Sequence, residues 1–255
     1  MLLVVDVGNT NIVLGVYENK ELKNSFRIAT DINKTSDEFG AIIAQLFQID
    51  GIEFSEIEDV IISSVVPEVM HSLENFVVKY INKNPMVIGP GIKTGINIKY
   101  ETPSQVGADR IVNAVAGFEK YGGPLILIDF GTATTFCYIN KMGEYLGGAI
   151  TPGIKISSEA LFQRASKLHK VEIIETQSVI GKNTTAAMQS GIFHGYVGLV
   201  DNIVEKMIQE SGESDVKVVA TGGLASLIIS QTKNVRIVDK NLTLEGLRII
   251  HEKNK

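Results

Sequence analysis

The amino-acid sequence predicts an α/β protein made of two similar halves, and three observations lead there. Its 255 residues suit roughly two domains of the commonest size. The stretch Leu3-Val4-Val5-Asp6-Val7-Gly8-Asn9-Thr10 returns one domain length later as Ile126-Leu127-Ile128-Asp129-Phe130-Gly131-Thr132-Ala133. In both places an apolar strand ends in Asp-x-Gly and passes through a polar turn into a second strand. One such turn is ordinary hairpin chemistry. Two at equivalent places point to an internal duplication.

The elements follow from local pattern. Residues 2–5 form a buried apolar run, and strands at 12–17 and 25–29 follow across the turns at Gly8-Asn9 and Asn19-Lys20. Thr35 and Glu38 make a capping-box pair ahead of Phe39, Ile42, Ile43, Leu46 and Phe47, which recur at helical spacing. A strand over 60–66, a helix opened by Pro67 and a strand over 86–88 complete a βββαβ order. A further helix is expected from the Thr102–Gln105 capping box, with Pro103 at its first position. After Gly122-Gly123-Pro124 the plan restarts, with strands over 125–128, 134–139 and 145–150 and helices over 154–168 and 184–209. Strands over 216–220 and 235–238 and a helix from about Thr243 finish the chain. Three strands in meander, then alternating helices and strands, is the plan of the ribonuclease-H-like fold. Two such units, expected at 1–118 and 119–255, make the actin-like architecture with a nucleotide cleft between them.

Composition narrows the function. Hydrophobic residues make up 44% and charged residues 21% of the chain, ample for two cores. A formal charge of −5 argues against nucleic acid or an anionic membrane as a partner. Cys137 is the single cysteine, which excludes an internal disulfide and fits a reducing compartment. The opening apolar run is broken by Asp6, too short for a signal segment or a membrane span, so a cytoplasmic protein is expected. His71, His169, His194 and His251 show no ligand spacing.

Phosphate chemistry has to use something other than the common loops. No Gly-x4-Gly-Lys-Ser/Thr stretch and no Gly-x-Gly-x-x-Gly after a strand occurs. A hairpin turn free of bulky side chains can aim several N–H groups at one anion. Gly8 and Gly131 allow close approach there, while Thr10, Asn11 and Thr132 add donors. Asp6, repelled by phosphate, would act through Mg²⁺ and its water shell. Asp109 lies, on the expected helix, well past the first turn and on the face of Val106, Val112 and Ala116, where a carboxylate needs a partner or a job. The functional reading makes it the acceptor of the attacking hydroxyl's proton, a role open to a weak base because phosphoryl transfer has a loose transition state. An ion pair between the halves is the structural alternative. Arg110 offers a planar fork for a carboxylate or phosphoryl group. Small residues at Gly147-Gly148, Thr184-Thr185 and Thr221-Gly222-Gly223, and glycines 191, 195 and 198 inside a helix, mark places of close approach by a ligand, another helix or a second subunit.

Taken together, Asp6-x-Gly-Asn-Thr-Asn11, Ser63-Ser-Val-Val-Pro67, Gly107-Ala108-Asp109-Arg110-x-x-Asn113, Asp129-Phe-Gly-Thr-Ala-Thr-Thr135, Gly147-Gly-x-Ile-x-Pro-Gly153 and Thr221-Gly-Gly223 resemble the type III pantothenate kinases, in order and over nearly the whole chain. The resemblance implies ATP-dependent phosphorylation of pantothenate to 4′-phosphopantothenate, the first step of coenzyme A biosynthesis. It implies that Asp6, Val7, Gly8, Asn9, Thr10, Asn11, Ile12 and Val13 form the ATP phosphate loop, with Thr132 contacting ATP from the second half. It assigns a monovalent cation, K⁺ or NH4⁺, to Asp129. Tyr100, Gly107, Ala108, Asp109, Arg110 and Thr184 would bind pantothenate, Asp109 being the catalytic proton acceptor, in a homodimer. Cys137 departs from the pattern, standing where an aspartate is often found.

Three other classes share parts of this reading. A phosphatase of the same superfamily would use water in place of the acceptor alcohol. A chaperone switch or filament subunit would need large insertions that a 255-residue chain has no room for. A regulatory protein without turnover fits poorly with Asp6, Asp109 and Asp129 all being present.

Overall fold

The computed structural model describes residues 1–255. The chain begins with three strands, β1 (Leu2–Val7), β2 (Asn11–Glu18) and β3 (Glu21–Ala29), then α1 (Ser36–Ile49), β4 (Asp59–Ser64), α2 (Pro67–Phe76) and β5 (Met86–Val87). A short strand β6 (Asn97–Ile98) and the helix α3 (Ala108–Tyr121) lead into β7 (Leu125–Phe130), β8 (Ala133–Ile139) and β9 (Glu144–Pro152). The helices α4 (Ile154–Arg164) and α5 (Thr184–Ser211), β10 (Lys217–Thr221), α6 (Ala225–Ile229), β11 (Ile237–Val238) and α7 (Leu242–Lys253) complete it. No helix is long and apolar enough to cross a membrane.

Two sheets carry the duplication. The first has the order β3-β2-β1-β4-β5 and the second β11-β10-β7-β8-β9-β6. Read from β9, the second repeats the first, a meander of three antiparallel strands joined to two parallel ones, with β6 added beside β9. Asp6 and Asp129 hold the same place, one residue short of the end of the strand shared by the antiparallel and parallel parts.

The chain divides into two compact units, residues 1–95 with 102–116 and 242–255, and residues 96–101 with 117–241. This differs from a break at 118 in two places. Residues 96–101 pair through β6 with β9, and α7 returns to the first unit. The cause of that return is packing. Leu244 on α7 lies against Gly15 on β2, where a Cβ would come to 3.1 Å from it. A Cβ on Gly246 would overlap the carbonyl oxygen of Val112 on α3. Thr243 Oγ1 donates to Asn113 Oδ1 at 2.8 Å, and Tyr17 OH donates to Glu245 Oε2 at 3.2 Å.

In the first unit the opposite face of the sheet holds a core of Leu3, Val5, Val7, Ile12 and Leu14 against Phe39, Ile43 and Phe47 of α1 and Val69, Leu73 and Phe76 of α2. The expected capping box opens α1: Glu38 N donates to Thr35 Oγ1 at 3.3 Å and Thr35 N to Glu38 Oε2 at 2.8 Å. The second unit buries Ile126, Ile128, Phe130 and Phe136 against Phe193, Tyr196, Val200 and Val204 of α5.

Close contact at Gly246 predicts the outcome of adding one methyl group there. Alanine at an open helix position would gain up to about 1 kcal/mol over glycine. Gly246→Ala should instead lose roughly 1–3 kcal/mol, the range for overpacking a filled interior, read from a denaturant-unfolding midpoint; a gain would show that α7 does not bear on α3 there.

Candidate active site

In the first unit the β1–β2 turn is a closed hairpin. Asp6 pairs with Val13 and Val7 with Ile12, and Gly8 N donates to Asn11 O at 3.0 Å. The turn is tied to the end of β3, since Thr30 N donates to Thr10 O at 3.0 Å and Thr30 Oγ1 to Gly8 O at 2.6 Å. Asn9 and Thr10 are exposed, and Gly8, Asn11 and Val13 are half-buried. Val7 and Ile12 point into the core, so of the predicted loop Asp6–Val13 these two can offer a ligand only their backbone. Asp6 is half-buried and stands in register with Ser63 of β4.

The beginning of α3 corrects the expected helix. Residues Pro103–Gln105 make a single 3₁₀ turn, Thr102 forms no side-chain cap, and Val106 turns extended at ψ 119°. The α-helix starts only at Ala108. Arg110 N and Ile111 N both donate to Gly107 O, at 3.1 and 3.2 Å, so Gly107 opens the helix. Asp109 therefore lies in the first turn and not beyond it, where the aligned peptide dipoles favour a negative charge. Its Oδ1 accepts from Arg110 N at 2.8 Å. It also passes so close to Gly107 that a Cβ there would come to 2.5 Å from it. A side chain at position 107 would push this carboxylate from its place over the helix end.

Burial pushes the Asp109 carboxyl above its ordinary value, opposed by the Arg110 N–H and the Arg110 charge. Arg110 itself is 6% exposed. The same Gly107 position lies 3.6 Å from Val65 Cγ1, and Val65 N donates to Val7 O at 3.0 Å. The β1 and β4 tips and the start of α3 thus meet inside one unit. Gly107 and the first turn of α3 lie beside Val65, the residue bonded to the end of β1.

The second unit repeats the hairpin with different surroundings. Asp129 pairs with Thr135 across to β8 and stands in register with Thr221 of β10. Gly131 N donates to Ala133 O and Gly153 N to Thr132 O, both at 3.1 Å, leaving Thr132 exposed at the tip. Gly222 follows β10 with φ +95°, and a Cβ there would come to 2.7 Å from Phe130 O and 2.8 Å from Asp129 Oδ1. A carboxylate and a carbonyl oxygen converge where that Cβ is missing. Thr134 Oγ1 is hydrogen-bonded to Tyr196 OH, which donates to Pro152 O at 3.0 Å, so the hairpin is fixed to α5.

Tyr100 belongs to this unit. It packs edge-on against Tyr145 with ring centroids 6.3 Å apart, and beside Gly147. Thr184 is exposed at the head of α5, where Asn183 caps the helix by accepting from Ala186 N at 2.8 Å. Cys137 is buried and accepts from Tyr145 OH at 3.4 Å, an interior packing role. No group of three or more His, Cys, Asp or Glu side chains that could by itself hold a metal ion occurs.

Sequence reasoning named Thr221-Gly222-Gly223 without linking it to Asp129. Register between the neighbouring strands β7 and β10 makes that link, and spacing along the chain carries no sign of it. Ser63 was named in a motif without a role; strand alternation from Asp59 was the available signal that it faces the same way as Ile61.

Comparison with known proteins supplies the family. Among solved structures the chain is similar to a Sinorhizobium meliloti protein described as a 2-dehydro-3-deoxygalactonokinase, at 13% identity and TM-score 0.66 over 99% of this chain and 96% of that one. It is similar to a Campylobacter jejuni protein described as a conserved Baf family transcriptional activator, at 21% identity and TM-score 0.61 over 99% and 98%. A Porphyromonas gingivalis protein described as an N-acetylglucosamine kinase matches at 15% identity and TM-score 0.52 over 100% and 99%. At these identities the likeness is one of fold, and it agrees with two ribonuclease-H-like units. A model of the type III pantothenate kinases matches residues 2–206, a span that takes in Asp6, Asp109 and Asp129. The chain belongs to the type III pantothenate kinase family, which uses ATP to phosphorylate pantothenate in coenzyme A biosynthesis.

Proposed function

We propose that the family reaction runs here on Asp109 as proton acceptor. The observation that carries this is the carboxylate held over the first turn of α3, in a space that Gly107 leaves open. Phosphoryl transfer needs a base aimed at the acceptor hydroxyl rather than a strong one. The helix end and the Arg110 N–H orient Asp109, and burial raises its affinity for the proton it receives. Tyr100, Gly107, Ala108, Arg110 and Thr184 bind pantothenate in this reading, with Arg110 facing its carboxylate or the transferring group.

The Asp6–Val13 hairpin holds the ATP phosphates through backbone N–H groups and the side chains of Thr10 and Asn11, and Thr132 contributes from the second unit. Mg²⁺ would be held chiefly by phosphate oxygens and water, with Asp6 as the protein's carboxylate, which suits an ion that keeps much of its hydration. That ion supplies charge neutralisation when bound. Asp129 Oδ1 and Phe130 O, left open by Gly222, fit a hard monovalent cation such as K⁺ or NH4⁺. The enzyme acts in the cytoplasm on small molecules, not on nucleic acid or membranes.

A homodimer is the assembly we favour. Gly191, Gly195 and Gly198 share one face of α5, are exposed and have nothing within 4 Å of where a Cβ would stand. Ser190 Oγ donates to Val179 O at 2.6 Å, which brings the exposed Val179 and Ile180 beside that face. Bare glycine and uncovered apolar side chains together suit a second subunit.

Four measurements follow. Asp109→Asn should lower kcat by about two to four orders of magnitude, the usual worth of a general base, while ATP binding stays near wild type. In the wild type kcat/KM should fall on acidification with an apparent pKa above about 3.9, the ordinary aspartate value, because only the ionised carboxylate accepts a proton; near-normal turnover of the variant would remove Asp109 from this role. Replacing Na⁺ by K⁺ or NH4⁺ should raise activity sharply, and equal rates in the three salts would count against the Asp129 site. Gly195→Arg should convert a dimer to a monomer by light scattering; a monomeric wild type would end the assembly reading.

A further inference from the structure

Ser63 lies near the end of β4 with its side chain fully buried, at 0% exposure, and its Oγ has no hydrogen-bond partner. A buried hydroxyl in that condition destabilises a fold, and alanine would fill the same space without the defect. Its place explains why a hydroxyl could be kept. Ser63 is the register neighbour of Asp6 on the adjacent parallel strand, so the two side chains leave the sheet on one face. The orphaned hydroxyl therefore sits at the β4 tip, beside the β1 tip that carries Asp6.

We propose that Ser63 is a positioning residue for phosphoryl transfer. Its hydroxyl bonds an ordered water that also bonds Asp6, and so fixes how Asp6 faces the hydrated Mg²⁺ that arrives with ATP. Buried water characteristically satisfies polar groups of this kind. Groups one step removed from a metal orient the ones that face it. The inference rests on the reading that the Asp6 hairpin holds the metal-bound phosphates, and it adds a residue which that reading leaves idle.

The test uses the full chain with Ser63→Ala, Ser63→Cys and Asp6→Asn, and three readouts. These are unfolding of the ligand-free protein, calorimetric ATP binding at stepped Mg²⁺, and kcat with KM for ATP. Ser63→Ala should unfold at the same denaturant concentration as wild type or a higher one. Its Mg²⁺-supported ATP binding should weaken about tenfold, the lower end for losing a group that orients a metal's partner, with Mg²⁺-free binding unchanged. Ser63→Cys, a weak donor of similar size, should fall between. Wild-type Mg²⁺ dependence in both Ser63 variants would overturn the assignment, whether or not stability changes, and leave Ser63 a packing residue. Asp6→Asn separates the two levels. If it loses Mg²⁺-supported binding while the Ser63 variants keep it, only the role of Ser63 falls. If it too binds Mg²⁺ and ATP like wild type, the phosphate-loop reading falls with it.

Discussion

Burial of a central strand on both faces decides where charge can stand in each unit. β1 runs between β2 and β4, with Leu3, Val5 and Val7 turned toward α1 and α2, and Val4 beside Gly15 under α7. A carboxylate midway along such a strand would be desolvated from two sides at heavy cost. One residue before the end it can still reach a polar surround, and that is where Asp6 stands. β7 obeys the same limit with Asp129. In both units the aspartate is the first residue along the central strand that is not fully buried.

What meets those points differs between the units. In the first, α3 begins late, after a 3₁₀ turn and an extended Val106, so the helix delivers its amino end and the Asp109 side chain together. Had the helix begun at Thr102, Asp109 would lie one turn further in, without unpaired N–H groups to receive it. In the second, Gly222 comes up against Asp129 with positive φ, and the place of its missing Cβ lies close to both the Asp129 carboxylate and the Phe130 carbonyl oxygen of the same strand. N–H groups suit anions and converging oxygens suit cations. The same hairpin plan thus has different neighbours in the two units, the amino end of a helix in one and a positive-φ glycine in the other.

Much of this was legible in the sequence for stated physical reasons. The repeated Asp-x-Gly, the Thr35–Glu38 cap and the apolar spacing of α1 are local patterns, and the two-unit plan followed from the repeat. The late start of α3 was not legible, because Thr102-Pro103-x-Gln105 is a sound helix opening whose continuation is stopped by the Val106–Gly107 backbone. The partnership of Gly222 with Asp129 and of Ser63 with Asp6 depends on strand register over long separations, which no window of sequence contains. The return of α7 to the first unit was hidden for the same reason. Its cause is a pair of tight approaches, at Gly15 and Gly246, between residues far apart in the chain.

That return has a consequence for how the molecule is made. The sheet surface around Val4 and Gly15 is covered by a helix that leaves the ribosome after residues 117–241, so the first unit cannot close over that surface until the second has been made. Apart from the β6 segment, the second unit is one continuous insert whose parts have all emerged by Asn241. Nascent domains usually mature from the amino end; here the later unit can reach its final packing first, while the earlier one waits with one sheet face uncovered.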